Sequence, residues 1–103
     1  MKDEKTKVLE KAIDTFGMDM QLNVAVEELA ELTKEICKYK RGADNLSHII
    51  EEMADCYIML EQMKIIFALG STVIDDAASR KIERLERRLE NMKGADDERR
   101  KTD

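Results

Sequence analysis

Apolar positions along this chain recur at steps of three and four, the spacing of one face of an α-helix. The pattern is interrupted at Gly17, Gly42, Gly70 and Gly94, and it predicts four helices. The first covers about Asp3 to Phe16, with Val8, Leu9, Ala12, Ile13 and Phe16 as its apolar set. The second starts near Asp19 as N-cap and runs to about Lys40. Leu22, Val26, Leu29 and Ile36 form its stripe, with Ala25 and Leu32 beside it. The third starts near Asp44 or Ser47 and runs to about Leu69, with Ile49, Met53, Cys56, Leu60, Met63 and Phe67 in line. The fourth has Thr72 as N-cap and Asp75 three residues on, an acidic variant of a capping box. It carries Ala78, Ile82, Leu85, Leu89 and Met92 before Gly94 stops it. Short connections make neighbouring helices antiparallel, so the expected fold is all-α, a four-helix bundle over residues 1–93. Residues 94–103 read as a charged, disordered tail.

After Met53 the third helix is apolar on nearly every side, with Ile58, Ile65 and Ile66 off the main stripe. A helix of that kind expects burial all round. A chain of 103 residues has few neighbours to provide it, so a homodimer or homotetramer is expected.

Composition agrees with helix and narrows the class. The chain has no Pro, no Trp, four Gly and seven Met, a bias towards strong helix formers. Its net charge of −5 argues against a module that grips nucleic acid through a broad positive surface. No run is long and apolar enough to span a bilayer, and the opening MKDEKTK has no apolar signal core behind it. Cys37 and Cys56 are far apart and in no metal-ligand spacing, so both are expected to be reduced and packed, as in a cytoplasmic protein.

The acidic residues carry the candidate chemistry. The second helix contains EELAEL, with Glu28 and Glu31 three apart, and the third contains EEMADC, with Glu52 and Asp55 three apart. Residues at that spacing are neighbours on a helix surface. Antiparallel packing of the two helices can bring four carboxylates together. Acids among apolar neighbours are costly unless partnered, and adjacent carboxylates repel. A divalent cation relieves both, and an all-oxygen carboxylate set suits Mg²⁺ or Mn²⁺ and not zinc. The plain alternative is a solvated face, because E-x-x-E is a frequent surface pattern, or ion pairing between helices.

Glu28-Leu29-Ala30-Glu31, the spacer Leu32 to Glu51, and Glu52-Met53-Ala54-Asp55 resemble the motif of the MazG-like all-α nucleoside triphosphate pyrophosphohydrolases. Glu27, Leu32, the aliphatic stretch after Asp55 and the preceding Gly17 and Gln21 resemble that family's flanks, over roughly Phe16 to Leu69. The resemblance implies an oligomeric helical bundle with Mg²⁺ on Glu28, Glu31, Glu52 and Asp55. It also implies hydrolysis of a (deoxy)nucleoside triphosphate at the α–β linkage, releasing a monophosphate and pyrophosphate, in nucleotide-pool cleaning. Metal-assisted phosphoryl chemistry fits these side chains, with Glu28 or Glu31 as proton acceptor and Glu27 pointing further round.

Other residues have two readings each. Lys81, Arg84 and Arg88 border the fourth helix's stripe and are candidate phosphate contacts, or else partners of Glu83, Glu86 and Glu90. Lys38 is a further phosphate candidate two turns after Glu31, and Gln21 a candidate contact to a base edge or an exposed polar residue. Tyr57 is expected in the core, Tyr39 near a helix end is open to either reading, and His48 is expected at the surface or in a cap. With one His there is no di-iron Glu-x-x-His pair and no nucleophilic triad, and no phosphate-binding P-loop is present. The competing function is a non-catalytic helical interaction module, or a sensor that binds a triphosphate without cleaving it.

Overall fold

The structure, a computed structural model, describes residues 2–102, with side chains for residues 2–95. Among them are four helices and no strand: α1 (Glu4–Phe16), α2 (Met18–Lys40), α3 (Leu46–Ile66) and α4 (Val73–Thr102). They divide into two compact units, Met1–Leu69 and Gly70–Asp103. None of these helices is long and apolar enough to cross a membrane.

In the first unit α2 and α3 form the main contact, and α1 lies against both. Asp3 caps α1, its carboxylate accepting from the Thr6 N–H at 2.7 Å, and those backbone and side-chain hydrogen bonds hold its pKa below the ordinary value. Gly17 ends α1 and starts α2 in one residue, at φ +92°, a conformation open to a residue without Cβ. This replaces the expected cap at Asp19, which falls inside the first turn of α2. Gly42, at φ +102°, closes α2 in a Schellman motif: the Ala43 N–H reaches the Lys38 carbonyl at 3.1 Å and the Gly42 N–H the Tyr39 carbonyl at 2.9 Å.

Polar contacts fix the antiparallel register of α2 on α3. Near one end the Gln21 Nε2 donates to the Gln62 Oε1 at 2.7 Å, with both side chains buried. In the middle the Cys56 thiol donates to the Glu28 carbonyl at 3.3 Å. At the other end the Asn45 Nδ2 donates to the Glu35 carbonyl at 3.0 Å and to its Oε2 at 2.6 Å. Residues 21, 28 and 35 are each seven apart, so all three lie along one seam of α2. That seam corrects the expected stripe. Ala25 is buried and Leu32 half-buried beside it, whereas Val26, Leu29 and Ile36 are 68, 43 and 44 % exposed. The packed face is turned about one residue, ~100°, from the line of largest apolar side chains.

α3 shows the same rotation. Cys56 and Met59 are buried, with Glu52 and Ile66 half-buried on the same side, while Met53, Leu60 and Phe67 of the expected stripe are at least half exposed. Its start is Asn45, between the two expected caps, because the Asn45 amide ties the loop to Glu35. Its end is Ile66, short of the expected Leu69. Ala68 takes a left-handed φ of 53°, and the Leu69 N–H returns to the Lys64 carbonyl at 2.9 Å, a second Schellman closure built without glycine.

The second unit is a turn and one long helix. Gly94 does not stop α4, which continues to Thr102; the last tail residue, Asp103, lies outside the described residues. A glycine inside a helix costs about 1 kcal/mol relative to alanine, and the flanking Lys93, Ala95, Glu98 and Arg99 are all helix formers. The stripe residues Ile82, Leu85, Leu89 and Met92 are between 51 and 63 % exposed.

Candidate metal centre

Because the α2–α3 seam runs through residue 28 on one helix and residues 52 and 56 on the other, Glu28 of the first motif meets both acids of the second at the middle of the hairpin. Carboxylate oxygens of Glu28, Glu52 and Asp55 lie within 4.8 Å of one another, the one such acid cluster among the described residues. Glu28 and Glu52 are half-buried and Asp55 is exposed, so the cluster has a floor in the seam and a mouth open to solvent.

The electrostatics are those of crowded negative charge. Burial raises the Glu28 pKa above its ordinary value, and the neighbouring Asp55 and Glu52 carboxylates raise it further. The Cys56 thiol beneath is pushed up for the same reasons, burial first and the three acids after it. It is held neutral as a hydrogen-bond donor. The Glu52 Oε2 is buried and has no hydrogen-bond partner. A buried carboxylate oxygen without a partner costs free energy unless a proton or a cation satisfies it. The residues therefore fit a hard divalent ion with oxygen ligands: three carboxylates in reach of one point, no soft ligand among them, and an open side for water or phosphate oxygens.

Glu31 is exposed and is not part of the cluster of three; Glu27 is exposed as well. Gln21 is buried, its amide engaged by Gln62, so it is neither an exposed residue nor free to read a base edge here. Lys38 lies 3.5 Å from Glu35, whose own pKa is lowered by the Asn45 hydrogen bond and then by Lys38. Lys81, Arg84 and Arg88 are exposed on α4, in the second unit. Tyr57 is 67 % exposed, which overturns its expected place in the core, and Tyr39 is 58 % exposed. His48 is at the surface as expected, whereas Cys37 is exposed where packing was expected. The hydrophobic pattern alone does not assign Cys56 and Gln62 to the acids' face; their four- and seven-residue steps from Glu52 and Asp55 are a weak signal that they share it.

No known family model, curated protein or solved structure matches this chain.

Proposed function

We propose that the chain is a Mg²⁺-dependent nucleoside triphosphate pyrophosphohydrolase, a cytoplasmic enzyme that splits a (deoxy)nucleoside triphosphate into a monophosphate and pyrophosphate and acts as a homo-oligomer. One observation supports this reading: Glu28, Glu52 and Asp55, from two helices and from the two motifs that resemble the MazG-like family, share a 4.8 Å cluster, and one Glu52 oxygen is buried without a hydrogen-bond partner. Those three residues would hold Mg²⁺ or Mn²⁺. A divalent ion bound there would supply charge neutralisation for the polyphosphate and acidify the attacking water. The chain's own contribution is positional. The Gln21–Gln62 and Glu35–Asn45 contacts hold the helix register, Cys56 anchors the backbone under Glu28, and the open side at Asp55 admits the phosphates. Where the ion leaves a Glu28 oxygen free, that oxygen is placed to take a proton from the attacking water. Glu31, one turn further along and exposed, is the second candidate for that task or an outer ligand.

The test is a panel of deoxy- and ribonucleoside triphosphates with Mg²⁺, read for monophosphate and pyrophosphate together. Glu52→Gln and Asp55→Asn are each expected to lose at least a hundredfold in kcat/KM while keeping the helical circular dichroism. Mg²⁺ should raise the thermal midpoint of the natural chain and leave both variants unmoved. Full turnover in both variants would remove the site. Mg²⁺-dependent nucleotide binding without products would point to a sensor, and neither binding nor products to an interaction module.

A further inference from the structure

Two lines of polar residues flank one side of the α2–α3 hairpin. On α2, Glu28, Glu31, Glu35 and Lys38 follow steps of three, four and three; on α3, His48, Glu52 and Asp55 follow steps of four and three. The lines meet at the cluster of Glu28, Glu52 and Asp55. They meet again towards the α2–α3 loop, where the Asn45 hydrogen bond first, and then Lys38 and His48, hold the Glu35 carboxyl below the ordinary glutamate range. Charge therefore changes sign along this side, from the acids at Glu28, Glu31, Glu52 and Asp55 to the cations by the loop. We propose that Lys38 and His48 bind the terminal phosphates of the substrate, so that the triphosphate lies along the hairpin with its leaving pyrophosphate towards the loop and its nucleoside towards α1. The proposal rests on the metal-dependent hydrolase reading and adds the direction in which the substrate lies.

Lys38 is a steered cation. Its Nζ stands 3.5 Å from the Glu35 Oε1, longer than the ~2.7–2.9 Å of a charge-assisted hydrogen bond. Glu35 gives its other oxygen to the Asn45 amide at 2.6 Å, and its side chain is only 12 % exposed. This mostly buried carboxylate aims the ammonium and leaves its donors for the oxygens of an anion. His48 is exposed and stands one turn from Glu52, about 6 Å along the helix axis, within reach of a phosphate chain that starts at the cluster. Either tautomer of its imidazole has an N–H to donate to a phosphate oxygen. The surroundings agree in sign. Lys34, Lys38, Lys40 and Arg41 stand against Glu35 and Asp44 around the loop, in a chain of net charge −5. No acid lies in the first turn of α3, so the positive end of that helix's dipole adds to them. On the other side of the cluster α1 lines α3, with Val8 and Leu9 beside Ile58, and there the acids Asp3 and Glu61 outnumber Lys5. That end suits an uncharged nucleoside better than a phosphate.

The probe is inorganic pyrophosphate, titrated into the full chain by calorimetry with and without Mg²⁺, with helicity checked by circular dichroism. The natural chain is expected to bind it when Mg²⁺ is present. Lys38→Met and His48→Ala are each expected to raise its Kd at least fivefold, whereas Lys38→Arg, which keeps the charge, should stay within twofold of the natural chain. Lys11→Met, at an exposed lysine of α1, is expected to change nothing. In turnover, Lys38→Met and His48→Ala should relieve inhibition by added pyrophosphate and leave inhibition by the nucleoside monophosphate in place. His48→Ala, at an exposed residue, keeps the test standing if Lys38→Met folds poorly. Natural pyrophosphate affinity in both variants, or no pyrophosphate binding by a natural chain that turns over triphosphates, overturns the direction and leaves the hydrolase reading intact. Neither pyrophosphate binding nor turnover of any triphosphate overturns both.

Discussion

At the scale of the residue, Glu28 concentrates the physics of the site. Burial and two neighbouring carboxylates make its proton harder to remove in the folded chain than in the unfolded one. The sign follows from linkage. The favourable contribution is complete below the unfolded glutamate pKa and is lost as pH rises through the raised folded value. Glu28→Gln keeps a neutral side chain at every pH. In chelator-treated protein it should be more stable than the natural chain near neutrality, and the gap should close as pH falls below the ordinary glutamate range. Urea unfolding at a series of pH values measures this. A gap that widens on acidification would show that the crowding of Glu28 is not felt in solution. The acids themselves are legible in the sequence as two E-x-x-acid pairs, but their membership of one cluster is not. Glu31 has the same local pattern as Asp55, yet it lies beyond the seam, and only the rotation of α2 about its axis decides that.

At the scale of the element, helix existence is readable from the sequence and helix ends are less so. Four helices follow from the three-four spacing and from the lack of proline. Glycine marks two ends correctly, at positions 17 and 42, where φ is positive. It fails at Gly94, where nothing in the neighbouring sequence opposes helix, and at Gly70, because Ala68 takes the left-handed position first. An alanine there is strained by about 1–2 kcal/mol, against an entropic cost of about 0.4–1 kcal/mol for putting glycine in the unfolded chain. Ala68 is exposed, so no packing is lost on removing its methyl. Ala68→Gly should therefore stabilise the protein by about 0.5–1 kcal/mol in urea denaturation. A destabilised variant would mean that the α3 closure is not left-handed. The expected stripes of α2 and α3 are misplaced by a residue for a related reason. Counting large apolar side chains finds where hydrophobicity is greatest, whereas the closest packing of these two helices runs through small and polar residues, Ala25, Gln21, Glu28 and Cys56.

At the scale of the whole molecule, the apolar surplus matters most. The buried apolar residues among the described ones are Ile13, Ala25, Cys56 and Met59, a small core for a chain that is 43 % hydrophobic. If folding and association are linked through α3, the unfolding midpoint must depend on protein concentration. Raising the concentration a hundredfold should shift the thermal midpoint upwards by several degrees, and a midpoint that stays fixed would separate folding from assembly. The all-round apolarity of α3 makes this surplus visible in the amino-acid sequence, but it does not say which side faces α2. The polar marks spaced along α2 have one more consequence. An ordinary greasy hairpin can slide by two turns and meet an equivalent surface. Here such a slip would part Gln21 from Gln62 and Asn45 from Glu35, stranding buried amides without partners. The amides at the two ends of the seam thus act as notches on a ruler, admitting a single alignment of the two helices.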